Sequence, residues 1–124
     1  MAKFHFLNLE PSATKKNDCV TRAITFASGL PYSTVRKKLF HTSRLLECES
    51  TYCNTCYGFL IQEVLGGVPT NCDGMTIGEF ADRNPYGTYL IRIEGHLTAL
   101  RDNTNFDIWD CRSKMCDLAW KIHN

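Results

Sequence analysis

Apolar and polar positions alternate in several distinct rhythms along the chain. Residues 1–14 read as extended, with Phe4, Phe6 and Leu7 apolar and Pro11-Ser12 breaking the pattern. From Asp18 the period lengthens: Val20, Ala23, Ile24 and Ala27 recur at i, i+3, i+4 and i+7, the mark of a helix with one apolar face. Gly29 follows where a left-handed C-cap belongs, and Leu30-Pro31 opens a second helix whose expected buried side is Val35, Leu39 and Phe40. Phe59, Leu60 and Val64 suggest a third helix stopped by Gly66-Gly67. Thr76 and Glu79 have capping-box spacing at the head of a short fourth, with Phe80 packing inward.

Beyond Pro85 the period falls to two. Tyr89, Ile91 and Ile93 share one face of a strand, with Arg92 and Glu94 on the other. Gly95 ends that strand, His96–Leu100 forms the next, Asp102-Asn103 signals a turn, and Phe106–Asp110 returns. Leu118, Trp120 and Ile122 alternate in a fourth strand. Helices followed by an antiparallel meander predict a single α+β domain over residues 1–124.

Composition narrows the function classes. At 124 residues the chain is long enough to bury a core without staples, and its 44% hydrophobic and 22% charged shares are those of an ordinary globular protein. A formal net charge of +1, with basic residues scattered, gives no footprint for nucleic acid or an anionic membrane. MAKFHFLNLE lacks the apolar run of a signal peptide and no later stretch is long enough to span a bilayer, so a cytoplasmic setting is expected. There the seven cysteines, an odd number, read as free thiols, metal ligands or a nucleophile.

Cys19 stands in the first turn of the first helix, where unsatisfied backbone N–H groups and the positive end of the helix dipole favour thiolate over thiol. The alternative is a small buried residue in that turn. A cysteine nucleophile needs an imidazole to take its proton and a third group to orient that imidazole. His96, at the head of a strand, is the candidate base. A hairpin symmetric about Asn103 sets Asp110 opposite it, and Asp107 opposite Ala99 as the weaker candidate. Asp18 is the expected helix cap, and its charge opposes thiolate formation unless it is paired. Cys48, Cys53, Cys56 and Cys72 offer C-x-x-C spacing and four sulfurs for a structural zinc site.

The segments Asn17-Asp18-Cys19, Gly95-His96-Leu97-Thr98-Ala99 and Asp107-Ile108-Trp109-Asp110-Cys111 resemble the papain-like cysteine peptidase superfamily. More narrowly, an NDCVxRA opening, a G-x-Y-L-I-R-I-x-x-H-L strand and a D-x-x-D closing segment resemble a group of small phage and bacterial proteins. The resemblance implies a papain-like fold and a Cys19–His96–Asp110 triad that attacks an amide or ester carbonyl of a protein or peptide substrate, with no cofactor. For a phage-encoded chain it implies action in the host cytoplasm, on a host protein. One departure stands out: where such enzymes carry an oxyanion-binding glutamine five or six residues before the cysteine, this chain has Thr14 and Ala13. Asn17 is the nearest carboxamide able to take that role. The missing glutamine also admits another reading, a papain-like scaffold without chemistry that binds or inhibits a host defence factor.

Overall fold

The computed structural model describes residues 1–9, 18–48 and 53–122. In chain order the elements are β1 (Lys3–Phe6), α1 (Cys19–Ser28), α2 (Tyr32–Leu45), α3 (Asn54–Phe59), β2 (Val68–Thr70), α4 (Ile77–Arg83), β3 (Thr88–Ile93), β4 (His96–Arg101), β5 (Thr104–Asp107) and β6 (Leu118–Ile122). A single π-helical turn, Leu60–Val64, continues α3. The molecule is mixed α+β, with the strands in one sheet ordered β1-β5-β4-β3-β6-β2.

The sheet is covered on both faces. Because neighbouring residues of a strand point to opposite sides, Leu90 of β3 packs with α1, α2 and α3, whereas Tyr89, Ile91 and Ile93 pack with α4. The first core gathers Val20, Ala23, Ile24, Val35, Leu39, Leu97 and Trp120, the second Ile77, Phe80 and Leu100. The expected apolar face of α1 is therefore the buried one. Gly29 closes this helix at φ +74°, its N–H donating to the Thr25 carbonyl at 3.1 Å. The Thr76–Glu79 capping box is formed in both directions: the Glu79 N–H donates to the Thr76 hydroxyl, and the Thr76 N–H to the Glu79 carboxylate.

Several expectations are corrected. Phe40 is exposed and lies under the Arg44 guanidinium, because α2 turns Val35, Leu39, Thr42 and Ser43 inward instead. The third helix begins at Asn54 and buries Cys56, Tyr57, Leu60 and Ile61, leaving Phe59 and Val64 outside. The strands are not a plain meander either. β6 bypasses β5 and β4 to pair antiparallel with β3, and β1 pairs parallel with β5. Among the described residues no helix is long and apolar enough to cross a membrane.

Candidate active site

Three elements meet at one end of the sheet: the first turn of α1, the first residue of β4 and the last residue of β5. The start of β4 is set by the tight turn after β3, where Ile93 pairs with His96 and Gly95 takes φ +68°. The other end of β4 turns through Asp102 and Asn103, both at positive φ, so that Arg101 pairs with Thr104 and Ala99 with Phe106. Extended by one residue, that register sets Asp107 beside Thr98, whose hydroxyl donates to the Asp107 carboxylate at 2.6 Å.

His96 Nε2 lies 2.7 Å from Asp107 Oδ2, with the imidazole and the carboxylate both largely withdrawn from solvent. The same imidazole is hydrogen-bonded to the sulfur of Cys19, as are the backbone N–H groups of Leu97 and Val20. Burial alone raises a thiol pKa, but these bonds and the imidazolium charge more than reverse it, so Cys19 falls below its ordinary value of 9.0. Burial likewise disfavours the imidazolium, yet the hydrogen bonds of Asp107, Cys111 and Cys19 push His96 up to about 11. Asp107 is desolvated, and its bonds from His96, Thr98 and the Ile108 N–H still hold it below the usual carboxylate range. Both shifts act in favour of the ionised pair, thiolate and imidazolium.

The surroundings fix these groups in place. Asn105, fully buried, donates to the Thr98 hydroxyl at 2.9 Å and the Ala99 carbonyl at 3.1 Å, and accepts from the Cys111 N–H at 3.0 Å. Trp109 packs against the His96 ring at 4.9 Å between centroids. Asp18 occupies the N-cap position of α1 without a side-chain capping bond. Its carboxylate instead pairs with Arg22 and accepts from the Tyr32 hydroxyl at 2.9 Å. Its negative charge is thereby neutralised beside the sulfur. The second guanidinium nitrogen of Arg22 reaches Asp107 Oδ1 at 3.7 Å, tying α1 to the end of β5.

Asp110 is not the imidazole's partner. It lies beyond the end of β5, where its carboxylate clamps Arg112 through Nε at 2.9 Å and Nη2 at 2.7 Å in an exposed position. Asn17 lies outside the described residues, as do Ala13 and Thr14. The first backbone bond within α1 runs from the Arg22 N–H to the Asp18 carbonyl, so the N–H groups of Cys19, Val20 and Thr21 have no acceptor within the helix. The four cysteines expected to share one metal are separated by the sheet. Cys48, Cys53 and Cys56 lie on the α1 face, Cys48 and Cys53 hydrogen-bonded to each other, whereas Cys72 pairs with Cys116 on the α4 face. Among the described residues, the metal-ligand types that do converge are His96, Asp107 and Cys111, with donor atoms within 4.8 Å of one another. Cys111 donates its S–H to Asp107 at 3.5 Å, and burial raises its pKa, which keeps it a thiol.

A cleft of about 420 Å³ opens onto Cys19 and His96, walled by Asn54, Tyr57, Arg92, Ile93 and Leu97. That is within the range of about 300–1,000 Å³ common for small-ligand sites. Asn54, Tyr57 and Arg92 come from α3 and β3, and nothing in their sequence spacing links them to Cys19. No protein-family model, no curated protein and no solved structure matches the chain.

Proposed function

We propose that the protein is a small cysteine hydrolase acting on an amide or ester bond of a protein or peptide, with Cys19 as nucleophile, His96 as acid and base, and Asp107 as the group that orients the imidazole. The observation that carries this reading is the continuous hydrogen-bond chain from the Cys19 sulfur through His96 to Asp107, at the mouth of a cleft. In the first step the thiolate adds to the carbonyl carbon, and the electron pair of the C=O moves to oxygen. The helix N–H groups at the head of α1 supply donors for that oxyanion. Collapse expels the amine or alcohol, which takes the proton from His96, and leaves an acyl thioester. His96, now neutral, removes a proton from water, whose oxygen attacks the thioester and releases the acid. Asp107 stays ionised throughout. The order of a cysteine opening a core helix, then a histidine and a carboxylate on adjacent strands, supports a papain-like arrangement.

An electrophilic activity probe, with the modified residue mapped by peptide mass spectrometry, tests the reading directly. Cys19 is expected to react well ahead of the half-buried Cys48, Cys53 and Cys116 at neutral pH, and Cys19→Ala to abolish turnover of a fluorogenic peptide library while leaving the fold unchanged. Uniform labelling of these thiols would remove the basis for a nucleophile.

A further inference from the structure

The catalytic proposal leaves one charge on the cleft wall unused. Arg92 of β3 sits directly opposite Leu97 of β4, so its side chain rises on the α1 face beside the residue whose N–H holds the Cys19 sulfur. The ionisable side chains lining the cleft are Cys19, His96, Tyr57 and Arg92, and no carboxylate is among the described lining residues. Cys19 and His96 cancel as an ion pair, and burial pushes Tyr57 up to about 12, so it stays neutral. Arg92 is thus the remaining cation of the cleft wall, opposed from outside the lining by its ion-pair partner Asp117.

The guanidinium is held in place without being used up. Nη2 donates to the Asp117 carboxylate at 3.0 Å, and Asp117 stands half-exposed outside the cleft lining. The Asn54 carboxamide, turned so that both ends are satisfied, accepts from Nη2 at 2.9 Å and Nη1 at 3.1 Å while donating to the Tyr57 hydroxyl at 2.6 Å. These bonds occupy three of the five guanidinium N–H groups, and 26% of the side chain stays open to solvent. The two donors left, Nε–H and one Nη1–H, lie on opposite edges of the guanidinium, so an incoming carboxylate is met by one charge-assisted hydrogen bond and by the positive charge.

We propose that substrates of this site carry a carboxylate close to the scissile carbonyl, bound by Arg92 on the cleft wall with Asn54 and Tyr57 setting its position. The inference rests on the hydrolase reading and gives it a substrate class: acidic acyl compounds, such as peptides with Asp or Glu next to the cleaved bond.

Two alkylating agents of nearly equal size, anionic iodoacetate and neutral iodoacetamide, separate this inference from the reading beneath it. Their rates at Cys19 are measured on the full chain at pH 7 and low ionic strength, with the product mapped by mass. Arg92→Gln is expected to slow iodoacetate about tenfold while changing the iodoacetamide rate less than about twofold, a size reasonable for one unit charge a few ångströms from the reagent. Arg92→Lys should keep much of the iodoacetate rate, and added salt should erode it. Asp117→Asn, which removes the competing carboxylate, should accelerate iodoacetate alone. A rate ratio that is the same in wild type, Arg92→Gln and Asp117→Asn overturns the carboxylate assignment and leaves the nucleophile standing. Slow reaction of wild-type Cys19 with both reagents overturns the hydrolase reading, and this inference with it.

Discussion

The Asp107 carboxylate accepts from the imidazole Nε2, the Thr98 hydroxyl and the Ile108 N–H, and faces Arg22 across the end of α1. Replacing it by Asn keeps the shape and an acceptor for Thr98 but removes the charge that stabilises the imidazolium. Asp107→Asn is therefore expected to lower the rate of Cys19 alkylation at pH 6 by about 10²–10⁴-fold, the span typical for losing an aligned acid–base partner. Much of that rate should return as the pH approaches 9, where a thiol ionises unaided. Asp110→Asn, which breaks only an exposed pair with Arg112, should react as the wild type does at both pH values. Equal losses in the two variants would show that the carboxylate beside His96 has no special part. Choosing between these residues from sequence turned on a single step of register. Symmetry about Asn103 puts Asp110 opposite His96, but the turn is centred between Asp102 and Asn103, which pairs Arg101 with Thr104. In a strand a one-residue shift reverses the face of every side chain, so residue types alone identified a carboxylate on this segment but not which one.

At the scale of elements, the helices were more legible than the sheet. A face repeating every 3.6 residues is local information, and Val20, Ala23, Ile24 and Ala27 carry it without reference to the rest of the chain. Cap chemistry is local too, as Thr76 and Glu79 demonstrate. Strand partners are chosen over long distances. Nothing within Leu118–Ile122 tells it to pair with β3 instead of β5, nor Lys3–Phe6 to run parallel along β5. The two-sided burial of β3 hid the same way, since Leu90 fills a core on the α1 face while its neighbours fill one on the α4 face. This arrangement makes a prediction for α4. Thr76→Ala removes the hydroxyl that caps Glu79 N–H and should cost about 1 kcal/mol in chemical denaturation. Because α4 lies across the sheet from α1, alkylation of Cys19 at neutral pH should be unchanged. A matching loss of Cys19 reactivity would mean that the two faces are not independent.

For the whole molecule, the ion pair links global stability to pH in a way that a lone histidine would not. Unfolded, Cys19 titrates near 9.0 and His96 near 6.5; folded, Cys19 is lowered and His96 is raised to about 11. Between pH 6.5 and 9.0 the unfolded pair carries one proton, on sulfur, and wherever the lowered Cys19 is ionised the folded pair also carries one, on imidazole. Equal proton numbers give no slope. Below 6.5 the unfolded state gains a second proton that the folded pair lacks until Cys19 itself protonates, so stability falls with acid. Above 9.0 the unfolded state loses its last proton while the folded pair keeps one up to about 11, so stability falls with base. Cys19→Ala changes the count. His96 still has Asp107 and stays raised, but no thiol proton remains in the unfolded chain to balance it. The variant should lose stability steadily as pH rises from 6.5 to 9.0, and more steeply than the wild type wherever the lowered Cys19 is ionised in the folded protein. Denaturant midpoints for both proteins at pH 6.5, 7.5 and 8.5 measure this, and groups titrating alike in the two chains cancel in the difference. Parallel curves would mean that sulfur and imidazole do not share a proton in the folded protein, and the catalytic pair would lose its physical basis.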